Sequence, residues 1–453
     1  MTIILTVTSV AELTGAAGWL ERELRDRLTF ANPLWVENDR RGFSNWNIPR
    51  ELCYLETAGD RLIVPRGFTR QLCEMLRACK VQFRIEDRRQ VLPPVHFAFT
   101  GTLRDYQQQA LDDILKRDFG TVSAPTGSGK TVLALAAIAE RKQPALVVCH
   151  TRELLDQWVS RIETFLGIPR AEVGIVGNGT RRIGEKITVA LVQSLVKCAD
   201  EVAASIGFLV VDECHRTPAK TFLDVVSSFD SQHMLGLSAT PFRRDGLSRL
   251  IWWHLGDLVH KVEQKPLVES GDILTAEVVV RETSFTPTVD PSEHYSKMLS
   301  ELTEDPTRNR LIVADVVEES RNGGGVCLVL SDRKAHCEAL RDLLASRGVS
   351  AHLLTGALKA KDRQTVVHDL AEGKVKVLVA TGQLIGEGFD CRGLSTLFLA
   401  CPIKFSGRLL QYMGRVLRPA PGKSIAKVFD YVDPVGVLRN AARARRRVYE
   451  AAA

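Results

Sequence analysis

At 453 residues the chain exceeds what one hydrophobic core ordinarily organises, about 250–300 residues, so two or three domains are expected. Hydrophobic residues make up 45% of it and charged residues 25%, a balance that excludes a disordered or fibrous protein. The net charge of +6 suits a polyanionic partner but does not require one.

The ten cysteines are scattered without a CxxC pair, and Cys149, Cys327 and Cys401 fall in runs that read as buried strands. Reduced thiols are therefore expected, and neither a zinc site nor a disulfide framework. The first ten residues lack the basic start and long apolar core of a secretion signal, and no later run approaches the ~18 apolar residues of a membrane span. A cytoplasmic location is expected.

Residues 1–96 read as a small α+β domain, with strands at Ile3–Val7, Arg61–Val64 and Val81–Ile85 and helices at Trp19–Leu28 and Gln71–Cys79. Trp35, Arg40, Arg41, Phe43, Trp46 and Arg50 interleave aromatic with basic side chains, as nucleic-acid surfaces do, although a half-buried loop packed on the neighbouring domain has the same composition. Pro93 and Pro94 favour an extended connector. Residues 97–264 then alternate helices with short apolar strands at Ala145–Cys149, Ile187–Leu191, Phe208–Val211 and Met234–Leu237, the pattern of a parallel sheet covered on both faces.

Residues 265–322 hold polar and proline-containing stretches and read as a hinge with the start of a further domain. A second alternation, over residues 323–453, places strands at Val326–Leu330, Ala351–Leu354, Val375–Ala380, Thr396–Ala400 and Ile425–Tyr431. The expected class is α/β, with two tandem parallel-sheet domains behind a small α+β one. Arg443, Arg445, Arg446 and Arg447 close the chain in an alanine-rich helical context and read as a solvated helix end.

The segment Ser123–Thr131, SAPTGSGKT, follows a short strand at Thr121–Ser123 and opens a helix near Lys130. Backbone N–H groups of such a loop cradle phosphate oxygens, and the helix N-terminus adds a favourable dipole. Thr126, Gly127, Ser128 and Gly129 supply the winding, Lys130 reaches the outer phosphates, and the Thr131 hydroxyl suits magnesium. Ala124 stands where the general phosphate-loop pattern has its first glycine. Some 80 residues on, Val210–Arg216 reads VVDECHR, an apolar strand ending in two carboxylates. A strand's C-terminal edge is where open α/β sheets bind ligands. Asp212 is the candidate magnesium ligand and Glu213 the candidate base for the attacking water, aimed apart by strand alternation.

Together with LSATP at Leu237–Pro241, these motifs in this order resemble superfamily 2 helicases, and the AxTGxGKT form of the phosphate loop is usual among them. The resemblance continues through ATGQLIGEGFD at Ala380–Asp390 and QYMGRVLRP at Gln411–Pro419, and spans Leu103 to about Tyr431. It implies two RecA-like domains that bind ATP and magnesium and convert hydrolysis into movement on nucleic acid.

Residue by residue, the likeness makes Gln107 of LRDYQ the adenine-reading amide, with Arg104 steadying the nucleotide and Phe97 or Phe99 either stacked on the base or buried in the core. It places Gly388 and Asp390 on the nucleotide side of the second domain, and makes Arg415 and Arg418 arginine-finger candidates on one helix face with Gln411. His215 is expected to bond toward Gln411. Nucleic-acid contact falls by resemblance to Thr151 and Arg152, to Gln193 and Ser194, and to Thr355, Gly356 and Thr381, while Trp158 reads as a packed residue.

Within the superfamily, Phe242–Gly246, Ser331–Leu340 and Glu387–Asp390 look most like XPB-type and UvsW-type DNA motors and restriction-enzyme motor subunits. Cys214 and His215 stand where DEAD-box RNA helicases carry Ala and Asp. The expectation is a DNA helicase or translocase acting on duplex or branched DNA. The alternatives are an RNA helicase, or an ATP-gated clamp or motor subunit of a defence or repair complex. No further carboxylate–lysine cluster suggests a nuclease, so cleavage would come from a partner protein.

Overall fold

The computed structural model describes every residue except 1, 216–218, 240–246, 359, 387–390, 392, 404–405, 421–422, 424 and 453. The expectations for residues 242–246 and 387–390, Gly388 and Asp390 among them, therefore lie outside the described residues. The chain divides into one unit of residues 1–124 with 129–262, and another of 125–128 with 263–453.

In the first unit, an N-terminal sheet runs in the order Glu56–Ala58, Arg61–Pro65, Val10–Thr14, Ile3–Val7, Phe83–Asp87. Alternation of buried and half-buried residues along Ile3–Val7 turns one face onto the helices Gly18–Leu28 and Thr69–Ala78, whose leucines are fully buried. The apolar cluster does not stop there. Leu250 and Trp253, from the helix Ser248–Leu255 of the following α/β domain, are buried in it.

Trp253 packs edge-on to Phe30 and Phe68 at centroid distances of 5.8 and 6.5 Å. At Gly67 a side chain would sit 2.4 Å from the Trp252 carbonyl and 2.5 Å from the Gly256 nitrogen, so only glycine allows this approach of the two backbones. Arg66, 2% exposed, donates to the carbonyls of Thr8 and Ser231. The N-terminal module is thus continuous with the first α/β domain.

The larger sheet of this unit has eight strands in the order Thr180–Arg182, Gly174–Gly177, Ile187–Leu191, Ala145–Cys149, Phe208–Val211, His233–Ser238, Phe119–Ser123, Leu258–Lys261. All neighbours are parallel except the first pair. Its central strands are buried along their whole length, as a sheet with both faces covered requires.

The second unit holds six parallel strands in the order Ala276–Glu282, Ala426–Val432, Leu394–Leu399, Val326–Ser331, Val377–Thr381, Ala351–Leu354. The segment 265–322 carries more structure than a hinge needs, since it supplies the edge strand Ala276–Glu282 and the seventeen-residue helix Pro306–Asn322. Two buried ion pairs anchor this unit's helices. Arg308 meets Asp433 at 2.8 Å, and Arg445 meets Asp430 at 2.7 Å with the Tyr449 hydroxyl alongside at 2.9 Å. Arg445 therefore corrects the reading of the tail as wholly solvated: its side chain is 3% exposed, whereas that of Arg446 is 81% exposed. No helix among the described residues is long and apolar enough to cross a membrane.

Candidate functional site

Parallel strands put every C-terminal end on one edge of the sheet, and the expected site residues of the first unit gather there. The strand Phe119–Ser123 leads into the phosphate loop, Ala145–Cys149 into Thr151, Ile187–Leu191 into Gln193 and Ser194, Phe208–Val211 into Asp212, and His233–Ser238 ends in the SAT serine. Gly127 and Gly129 take left-handed φ values of 94° and 79°, and Gly129 caps the helix Lys130–Arg141. The Lys130 ammonium donates to the Ala124 carbonyl at 3.0 Å, inside the loop that it closes. Thr131 follows as the second residue of the helix.

Asp212 lies just past its strand, 8% exposed. Burial, and then the neighbouring Glu213 carboxylate, raise its pKa to about 6, against the pull of the Trp158 hydrogen bond and of Lys130. One oxygen accepts the Trp158 indole N–H at 2.8 Å, and the other accepts the Glu213 backbone N–H at 2.9 Å. Glu213 adopts φ 46°, a left-handed conformation that is costly for a residue with a side chain and that clusters at functional sites. Strand alternation does not set the relation of the two carboxylates, because the strand ends at Val211 and Glu213 lies in the left-handed turn that follows. His215 Nδ1 lies 2.8 Å from the Ser238 hydroxyl, which joins DECH to SAT.

Gln107 is buried and integrated into its helix. Its side-chain oxygen accepts the Arg104 N–H at 3.0 Å in a capping box, and its amide nitrogen fills the space where a side chain on Gly129 would stand. Phe97 is buried, and the half-buried Phe99 stacks on Phe165 at 6.3 Å.

Thr151 caps the helix Arg152–Leu166 by accepting the Leu154 N–H at 3.3 Å, and the Arg152 side chain is 67% exposed. Gln193 is exposed and donates to the His150 carbonyl at 3.4 Å. The helix Pro33–Arg41 has no buried residue, and Phe43 and Trp46 are 61% and 85% exposed, so the aromatic–basic run stands in solvent.

In the second unit Thr355 and Gly356 follow the strand Ala351–Leu354, and Thr381 ends the strand Val377–Thr381. The helix Ser406–Val416 carries Gln411 and Arg415, both buried, on one face. Arg418 falls two residues past its end. The terminal carbonyls there are held by the Lys423 ammonium, which donates to those of Val416 and, at 2.9 Å, Arg418. Neither Lys423 nor the Trp158–Asp212 bond was visible in sequence, where nothing pairs a tryptophan with a carboxylate 54 positions away.

A domain described as the res subunit of type III restriction enzymes matches residues 100–243, and the conserved C-terminal helicase domain matches residues 309–420. A protein of Acanthamoeba polyphaga mimivirus, provisionally named an ATP-dependent RNA helicase, is 28% identical over 355 residues, 75% of this chain and 66% of its own length. The DNA 3'-5' translocase XPB2 of Sulfurisphaera tokodaii is 25% identical over 355 residues, 70% of this chain and 78% of its own. The solved structure of Saccharomyces cerevisiae Dbp5, bound to RNA and ADP with BeF3, shares the fold with a TM-score of 0.57 at 15% identity, covering 84% of this chain and 93% of that one. The chain thus carries two helicase-family domains in tandem, is similar to ATP-dependent helicases of superfamily 2 over most of its length, and has two RecA-like domains.

Proposed function

We propose that this protein is a DNA-dependent motor that hydrolyses ATP to translocate on, or unwind, duplex or branched DNA. The observation that carries the reading is the convergence of Lys130, Asp212 and Glu213 on one edge of a parallel sheet, with His215 tied to Ser238 beside them. DNA is favoured over RNA by the likeness to the XPB2 translocase and by the DECH form of the acidic motif. The mimivirus relative's RNA helicase name makes RNA the outcome to be tested against it.

Magnesium fits the residues present. Among the described residues no cluster of three or more His, Cys, Asp or Glu side chains could cage a metal. Thr131 and Asp212 instead offer hard oxygen donors to an ion that shares its remaining positions with phosphates and water, which is magnesium's usual arrangement. Bound there, magnesium would neutralise charge developing on the phosphates.

The chain's own residues supply the remaining chemistry. Lys130 exchanges the Ala124 carbonyl for phosphate oxygens. Glu213 takes the proton of the attacking water. Arg415 and Arg418 stabilise the leaving charge when the second unit engages, and because ATP binds that state better, turnover drives a cycle of closure and release. Thr151, Arg152, Gln193, Ser194, Thr355, Gly356 and Thr381 would grip the sugar–phosphate backbone, which carries no sequence information and suits a motor that passes over any base.

Strand displacement from a forked DNA duplex, scored with ATP and with a non-hydrolysable analogue, tests the reading. ATP-dependent displacement or sliding on DNA supports it. Activity confined to RNA duplexes would replace it with the RNA helicase reading.

A further inference from the structure

Trp158 is 1% exposed and sits at the seventh position of the helix Arg152–Leu166, buried with Leu155, Val159, Ile162 and Leu166. Packing alone does not require an indole at such a site, and a buried indole N–H must find an acceptor. The acceptor here is the carboxylate Oδ2 of Asp212 at 2.8 Å, while Oδ1 takes the Glu213 backbone N–H at 2.9 Å. One bond arrives from a helix and the other from the turn, so the plane of the carboxylate is fixed from two directions. Each carboxylate oxygen has about two acceptor sites, and one on each therefore stays available.

We infer that Trp158 is a positioning residue for the metal site: its indole N–H holds the Asp212 carboxylate in the orientation that receives magnesium, directly or through a bound water. The inference rests on the magnesium reading given above. Trp158 does not touch nucleotide or metal; it acts through Asp212. Outer hydrogen-bond partners of this kind generally change metal affinity by about 10–100-fold when removed.

The test is Mn2+ binding to the ADP complex of the full chain, followed by electron paramagnetic resonance, beside ADP affinity measured in EDTA. Trp158→Phe, which keeps an aromatic ring and deletes the donor, is expected to weaken Mn2+ binding by about tenfold or more. Its metal-free ADP affinity should match wild type, and Trp158→His, which retains a ring N–H, should recover part of the loss. Ile162→Ala loosens the same helix without touching Asp212 and should leave Mn2+ affinity unchanged.

Wild-type Mn2+ affinity in Trp158→Phe would overturn the inference, as would an equal loss in Ile162→Ala. A wild-type complex that takes up no Mn2+ would instead overturn the magnesium reading itself. Should Trp158→Phe not fold, the wild-type indole N–H resonances decide: Mg2+ added to the ADP complex shifts a buried one if the inference holds, and a spectrum in which none moves contradicts it.

Discussion

Glu213 shows how far a residue's role could be read from its letter. Its identity beside Asp212 was legible as a catalytic pair, but its left-handed turn was not, because the sequence suggested a strand continuing through it. The proposed division into base and metal ligand depends on this turn, which sets the backbone from which the Glu213 carboxylate projects. Glu213→Gln should bind ATP and lose turnover; wild-type turnover in that variant would assign the base elsewhere. Arg445 makes the opposite case. Four arginines in an alanine-rich tail look alike in sequence, and only the position of Asp430 selects the buried one. Arg445→Leu leaves that carboxylate buried and unpaired, a loss of about 3–5 kcal/mol that denaturant titration would register. Arg446→Leu, on the solvent side, should leave the midpoint where it is.

At the scale of elements, strands buried on both faces were the most legible, because a continuous apolar run needs no partner to be recognised. Ala145–Cys149 and Phe208–Val211 have the bounds that their composition suggests. The edge strands Leu258–Lys261 and Ala276–Glu282 were missed for a physical reason: each has an open side and carries charged residues among its apolar ones. The sharing of Trp253 between the N-terminal module and the motor was equally hidden, since a helix pattern does not tell which of two neighbours its apolar face meets. Trp253→Ala should cost about 3–5 kcal/mol. Deletion of residues 1–96 should give an unstable motor that exposes this face, and a soluble, thermally unchanged deletion would contradict the shared core.

Three buried histidines work against the fold in acid. Burial lowers the pKa of His233 and His254 to about 4 and that of His336 to about 3, from 6.5. The unfolded chain thus binds more protons than the native one below pH 6.5, and stability falls as pH drops from there towards 4. Melting temperatures across that window should decline. His336→Gln, which can still bond to Ser331 or Asn309, should flatten the decline for the second unit, and an unchanged slope would place its cause elsewhere.

For the whole molecule, two separate runs of alternating strands and helices, each carrying motifs, foretold two RecA-like units. What they could not foretell is which arginine would serve as the proposed finger, since Arg415 lies within its helix and Arg418 beyond it. Arg418→Ala should bind ATP and lose turnover by about 10³-fold if it is the finger. An unchanged rate would assign that role to Arg415 or to neither.

The most direct test of the account is steady-state ATP hydrolysis by the full chain, alone and with single-stranded, duplex and forked DNA or RNA. It should be run at one low salt concentration, because phosphate binding weakens steeply with salt. The account predicts strong stimulation by duplex or forked DNA that is abolished in Lys130→Ala. Stimulation by RNA alone, or equal turnover in Lys130→Ala, would contradict it.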